Sequence, residues 1–502
     1  MIMIMKHTQK QGILALLALL CAASVFSSCG SPSDKKDDKT PNTENHPATD
    51  ATTEAPAPER IKANLPDKDF GGETFTFYGR IYEGEWTAND IFSHTEDGEL
   101  INDALYNRTT YIEETYNVKL DAIESGEVTV TSKLKTLLTA GDTSFQAICC
   151  DVYDAGALSV EGMLLDLNHV ENLDLSADWW AQQTNASLSI ANKQFYVTGD
   201  ISIVDNRSTR VLFFNKDIIR SLDLENPYDL VDNNQWTIEK FIELSEAALY
   251  DVNGDGTYDR QTDQFGVMAQ KQFGSVLYFA SGNLLTGKDQ NDIPYALCST
   301  EKAISVMTGI SDKISGLKSI SLSDDNTFKN DYPDNIVYFM DGRALFAPEV
   351  LTHIATMRNC TVDIGILPPP KYEASQDAYY CFADGWCVNV YSIPSTNVNS
   401  ADAGFILEAM AADSKNNLTP AYFNVVLTDK YARDEQSVRM LDLILNSQVM
   451  DNANIFSWAS IESTVANAIY NGGAIASTIE KKVSTLEKMI DKTVSKIEAV
   501  EN

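Results

Sequence analysis

From about residue 70 onward the apolar positions keep two rhythms, one of period two and one of three to four residues. Phe75-Thr76-Phe77-Tyr78, after the Gly71-Gly72 turn, alternates as a short strand does. Ala104, Leu105, Ile112 and Tyr116 predict a helix over 103–116, with a strand at 117–120 behind it. A second helix is predicted over 130–140, stopped by Gly141, and then a strand over 145–150. Residues 195–197 and 211–214 read as further strands, and 236–250 as a helix with Thr237 as its N-cap. Helices follow over 300–317, 438–447 and 474–500. In the last, Ile475, Ile479, Val483, Leu486, Ile490 and Ile497 make one apolar stripe for packing. Strands alternating with helices predict an α/β fold with largely parallel sheets.

The first sixty residues break this rhythm. Lys6 and Lys10 precede an apolar run from Ile13 to Phe26, the pattern of a signal peptide. Phe26-Ser27-Ser28-Cys29-Gly30 resembles a bacterial lipobox, with Phe26 where an aliphatic residue is usual. The resemblance implies cleavage before Cys29 and a lipid on its sulfur. Residues 31–60 are Ser, Asp, Lys, Thr, Asn, Glu and Pro with almost no large apolar side chain, a composition that cannot bury a core. The expected layout is a signal peptide over 1–28 and a lipidated tether over 29–62. It places the folded body on the extracellular face of the cytoplasmic membrane, held by the lipid, and no later segment is long and apolar enough to span a bilayer.

Charge narrows the partners. The chain has 72 acidic and 38 basic side chains, a formal net charge of -34. That field repels phosphate backbones and anionic lipid, so nucleic acid is not an expected partner. Beyond Cys21 and Cys29 the cysteines are Cys149, Cys150, Cys298, Cys360, Cys381 and Cys387, with no CxxC pair. Buried free thiols are expected, with a Cys381–Cys387 bridge as the alternative. The histidines of the processed chain, His46, His94, His169 and His353, are too scattered for a His-rich zinc site.

Several segments then resemble, in order, the extracellular solute-binding proteins of family 1. They are Leu137-Leu138-Thr139-Ala140-Gly141-Asp142 with Leu165-Asp166-Leu167, Val211-Leu212-Phe213-Phe214-Asn215-Lys216-Asp217, and Trp236-Thr237-Ile238-Glu239-Lys240-Phe241. Phe339-Met340-Asp341-Gly342-Arg343-Ala344-Leu345-Phe346 and Ile364-Gly365-Ile366-Leu367-Pro368-Pro369-Pro370-Lys371 complete the set, which covers about 68–450. Phe214 stands where the family usually has Tyr. The resemblance implies a two-lobed clamshell of the periplasmic-binding-protein type, class II, with a hinge and a ligand cleft. It implies lobe 1 over 63–204 and 380–412 and lobe 2 over 205–379 and 413–502. It also implies a monomeric receptor, not an enzyme, that delivers a sugar or oligosaccharide to the permease subunits of an ABC importer.

Sugar recognition needs flat aromatic faces and charged or amide groups for hydroxyls. Arg80, Tyr82, Trp86 and Asp90 lie in the loop after the first strand, which the resemblance turns toward the cleft. Asp205, Asn206, Arg207 and Arg210 fall at the first crossing between lobes, as ligand contacts or hinge salt bridges. Asp384, Gly385 and Trp386 fall near the second crossing, and Phe273, Tyr278 and Glu349 in the second lobe. Of Trp179 and Trp180 one is expected in the core and one toward the cleft. Trp236 is expected in the core, and Trp458 is open.

One local pattern is independent of the resemblance. Asp251, Asn253, Asp255, Thr257 and Asp259, with Gly256 at the sixth position, match the first nine positions of a calcium loop. Thr262 stands at position twelve, where a bidentate Glu is usual, and Asp263 follows. A structural Ca²⁺ of modest affinity is expected, against an unmetallated turn; no other cofactor is. A secreted glycosidase-like enzyme is the alternative reading, since 72 acids allow a carboxylate pair across a cleft. No nucleophile elbow, P-loop or dinucleotide fingerprint is present.

Overall fold

The computed structural model describes residues 60–80, 90–127, 129–324, 327–329, 332–357, 360–428 and 435–501. The signal peptide, Cys29, the tether as far as residue 59, Tyr82 and Trp86 lie outside them. Among the described residues no helix is long and apolar enough to cross a membrane.

Two sheets organise the body. The first has the order Asn389–Ser392, Ala147–Asp151, Glu73–Gly79, Val118–Glu124. Its last three strands are parallel, with Phe75 opposite Leu120 and Phe77 opposite Ala147. Asn389–Ser392 runs antiparallel, Val390 facing Cys150. The second has the order Ile364–Leu367, Arg210–Asn215, Ala344–Val350, Phe265–Gln270, Ile320–Ser323. Here Arg210–Asn215 runs against both of its neighbours, and the strands from Ala344 onward in that order are parallel.

The two reversed strands share one cause. Asn389–Ser392 follows the crossing at residues 383–388, and Arg210–Asn215 follows the crossing at 204–209. A crossing delivers the chain at the edge where the parallel strands end. The next strand can only run back from that edge, antiparallel to the rest.

Local chemistry sets the helices. Thr237 accepts from the Lys240 amide at the head of Ile238–Ala247, and Thr300 accepts from Ala303 at the head of Glu301–Ile314. Asp151 accepts from Asp154 and starts Val152–Ser159 directly at a strand end. Helix Ile238–Ala247 lies so close to Phe265–Gln270 that a Cβ on Gly266 would sit 2.1 Å from the Ser245 carbonyl. The long helix Ile475–Glu498 buries Ile475, Ile479, Leu486, Ile490 and Ile497, the predicted stripe apart from Val483, which is only partly buried. Residues 195–197 are buried but form no strand. Their pairing is the single bridge Val197–Tyr391, because Asn389–Ser392 takes the sheet position beside Ala147–Asp151. Helix Leu418–Thr428 packs against Leu100–Tyr116 beside the first sheet, and Glu435–Leu445 packs against Ile364–Leu367 of the second.

Candidate ligand-binding cleft

The C-terminal ends of parallel strands carry the polar side chains of both sheets. On the first sheet these are Arg80, after Glu73–Gly79, and Asp151 with Tyr153, after Ala147–Asp151. On the second they are Glu349 in Ala344–Val350 and Gln272 after Phe265–Gln270. Arg210 begins its reversed strand at the same edge. The crossings lie side by side between them: Thr209 bridges Ala383, and the Asp384 amide donates to the Ser208 carbonyl at 3.1 Å.

Arg210 is the centre of a buried network. Its Nε donates to Asp384 Oδ2 at 3.1 Å and its Nη2 to the same oxygen at 2.5 Å. Nη1 reaches Glu349 Oε2 at 3.3 Å, and Nη2 also donates to Gln272 Oε1 at 2.6 Å. The Gln272 amide then donates to Asp384 at 3.1 Å and to Glu462 Oε1 at 3.3 Å. Ser275 Oγ donates to Glu462 at 3.1 Å, and the Asn454 amide donates to its other oxygen. Tyr153 Oη donates to Asn454 Oδ1 at 3.0 Å, which ties the first half to the second. Gly385 permits this approach, since a Cβ there would meet the Tyr153 ring at 2.7 Å. Arg80 Nη1 donates to the Trp386 carbonyl at 3.3 Å, and its Nε lies 3.6 Å from Asp151 Oδ2. Arg210, Gln272, Glu349, Gln270, Phe273 and Pro348 contribute to the lining of a small pocket that opens to solvent.

Burial pushes several of these acids up. Asp151 rises to about 6 through burial, with Arg80 opposing. Glu462 rises through burial and the charge of Asp384. Asp205, on the first crossing, rises to about 7 through burial, with the Asn206 amide and the Thr198 hydroxyl opposing. Glu349 goes the other way. Burial pushes it up, but His353 at 3.4 Å and Arg210 hold it at about 2.

Of the expected ligand residues, Arg80, Arg210, Glu349, Asp384 and Trp386 meet in this region. Asp205 is buried on the crossing itself, bonded by Thr198 at 3.1 Å, and Arg207 is half-buried beside it. Tyr278 does not reach the cleft. Every residue of its helix, Phe273–Ala280, is buried, and its hydroxyl donates to the Leu284 carbonyl at 3.1 Å. Trp179 and Trp180 both pack on the first core, and Trp180 donates to Glu408 at 2.9 Å. Trp236 donates to the Pro368 carbonyl, and Trp458 is buried with its Nε1 on Thr493. Cys149, Cys150, Cys298, Cys360 and Cys381 are free thiols, so Cys381 forms no bridge.

Gln272, Tyr153, Asn454, Glu462 and Asp151 were not anticipated. For Asp151, Tyr153 and Gln272 the usable signal is position, just past a parallel strand. Asn454 and Glu462 carry no such mark.

The acidic loop lies elsewhere. It leads into the N-terminal end of Phe265–Gln270, the edge opposite the cleft, through the Tyr250–Gln264 bridge. Asp251 accepts from the Gly254 and Gly256 amides at 2.7 and 2.8 Å, and Asp255 accepts from the Thr257 amide at 2.8 Å. Asp263 accepts from Val252 and Asp259 at 2.9 and 2.8 Å. Among the described residues no three His, Cys, Asp or Glu side chains converge on a metal-sized centre.

No curated protein matches the chain. Solved structures do. A cyclo/maltodextrin-binding protein complexed with maltotetraose is 11% identical, with a TM-score of 0.53, over 86% of this chain and 98% of its own. An ABC transporter solute-binding protein from Thermotoga lettingae, bound with α-D-tagatose, is 14% identical with a TM-score of 0.52, over 83% of this chain and 100% of its own. An ABC substrate-binding protein from Listeria monocytogenes in complex with cycloalternan is 12% identical with a TM-score of 0.51, over 84% and 99%. At such identities the likeness is one of fold, the two-lobed periplasmic-binding-protein fold. A family profile matches residues 108–420, and the chain therefore belongs to the bacterial extracellular solute-binding proteins.

Proposed function

We propose that this protein captures a carbohydrate, a sugar or oligosaccharide, and delivers it to the permease of an ABC importer. The observation that carries the reading is the cleft network around Arg210. Donors and acceptors from the ends of two sheets meet there across two adjacent chain crossings. Such groups can exchange their mutual hydrogen bonds for those of sugar hydroxyls, and hinge closure then buries the ligand. The sugars bound by structures of the same fold support the class. A lipid on Cys29 would hold the receptor at the membrane where the permease lies, and the composition of 31–60 suits a tether. The loop from Asp251 to Asp263 is proposed as a structural calcium site, its carboxylates turning from their amides toward the ion.

The test is a thermal-shift screen of the purified protein against sugars, oligosaccharides, polyols and peptides. A ligand that binds only the folded state stabilises it by an amount that grows with the logarithm of one plus its concentration over Kd, and Tm rises with it. A saturable rise with one sugar class and no product supports the receptor. No rise with any sugar removes the carbohydrate reading.

One observation favours a second reading. Asp384 and Glu462 both accept from the Gln272 amide nitrogen, and glycosidases use carboxylate pairs, about 5–5.5 Å apart in retaining enzymes and about 6.5–9.5 Å in inverting ones. Consumption of a glycoside in the same screen would move the assignment to an enzyme.

A further inference from the structure

The carboxylates of the cleft are not alike. Asp384 and Glu349 share the Arg210 guanidinium, and Asp151 has Arg80. Glu462 is held by three neutral donors, Ser275, Gln272 and Asn454. Among the described residues no Lys, Arg or His nitrogen forms an ion pair with it. It lies in the first turn of Ile461–Asn471, is half-buried, and accepts from Gln272, which lines the pocket.

A carboxylate removed from water without a counter-charge is costly, and neutral donors offset only part of that cost. A neutral sugar hydroxyl would replace one neutral donor by another and leave the charge unbalanced. An ammonium group would balance it and add a charge-assisted hydrogen bond. An anionic sugar meets the reverse condition, since Arg80 and Arg210 already face carboxylates. The charge of -34 on the whole chain adds a field that favours cations at long range.

We propose that the cleft selects a carbohydrate bearing a protonated amine, an amino sugar or an oligosaccharide containing one, and that Glu462 pairs with that amine. The inference rests on the carbohydrate-capture reading for the sugar part, while the amine part stands on Glu462.

The experiment is titration calorimetry on the purified full chain at pH 6.5. The probes are glucose and galactose, their 2-amino, 2-N-acetylamino and uronic acid forms, and spermidine. The amino sugar is expected to bind about tenfold or more tighter than its neutral parent, with the uronate weakest. Glu462→Gln keeps the shape and the acceptor oxygen, and it should bring the amine-to-neutral ratio close to one. An unchanged Tm of the free variant shows that the fold is kept; if it falls, Glu462→Asp, which retains the charge, should restore the ratio. A neutral sugar that binds as tightly as its amine, or a ratio that survives Glu462→Gln, overturns the proposal. Spermidine binding that depends on Glu462, with no sugar binding, overturns the carbohydrate reading and keeps the amine site. No binding of any probe overturns both.

Discussion

The cleft and the acidic loop are both rich in carboxylates, and physics pushes them in opposite directions. In the loop, Asp255 is exposed and Asp263 is buried, and they take hydrogen bonds from Thr257, Asp259 and Val252 of the same loop. Those bonds favour the charged form and lower both acids below the ordinary range. In the cleft and on the crossing, Asp151, Asp205 and Glu462 are raised because burial outweighs the bonds they accept. Glu349 is the exception that identifies the cause, since a guanidinium and an imidazole beside it reverse the sign. Carboxylates tied to their own backbone hold a turn. Carboxylates buried among distant partners are pushed toward the neutral form unless a cation stands beside them.

The comparison breaks first at Arg210. Arg210→Met leaves Asp384 buried without its cation and Glu349 with His353 alone, and a cost of about 3–5 kcal/mol is expected. Urea denaturation reads it, and a loss under about 1 kcal/mol would mean that water reaches the pair as freely as at a surface site.

Asp205→Asn sharpens the second contrast. A carboxyl raised from 3.8 to about 7 binds its proton more tightly in the folded state. It therefore lowers stability progressively as pH rises through that window. The variant should gain on the parent more at pH 8 than at pH 5, read as Tm across the range. Parallel curves would show that Asp205 is already ionised at the lower pH.

The loop should give the smallest effects. Asp255 is lowered, so its contribution is present above its unfolded value near 3.8 and is lost on further acidification. Asp255→Ala should shift Tm slightly at pH 7 and leave it unchanged near pH 3. If the loop holds calcium, a chelator lowers the Tm of the parent and has no effect on this variant. Equal responses of the two proteins would remove the loop from calcium binding.

The parts of the fold readable in the sequence are those set by neighbours along the chain. The stripe from Ile475 to Ile497, the Thr237 cap and the strand over 211–214 each depend on a few adjacent residues. The cleft does not. Arg210 and Asp384 are 174 positions apart, Gln272 and Glu462 190, and Tyr153 and Asn454 301. Arg210 and Asp384 were still legible, because motif order placed them near the crossings, and Glu349 was named only as a residue of the second lobe. Glu462 and Asn454 were not, since nothing local distinguishes them from other polar residues on short helices. Tyr278 misled for a related reason: a helix buried on every side has no polar face to show where the aromatic points. Residues 195–197 have strand composition, but a strand also needs a free neighbour, and that place was taken.

The bridge between Thr209 and Ala383 has a consequence for leverage. Arg210 follows one crossing immediately, and Asp384 lies within the other. In a clamshell that closes by rotation, displacement grows with distance from the pivot. The Arg210–Asp384 pair sits at the short end of that lever and moves little, while side chains at the mouth sweep the longest arcs. In the proposed receptor the inner groups would then hold one end of the ligand at fixed geometry before closure begins, and the length of ligand that fits would be decided at the rim.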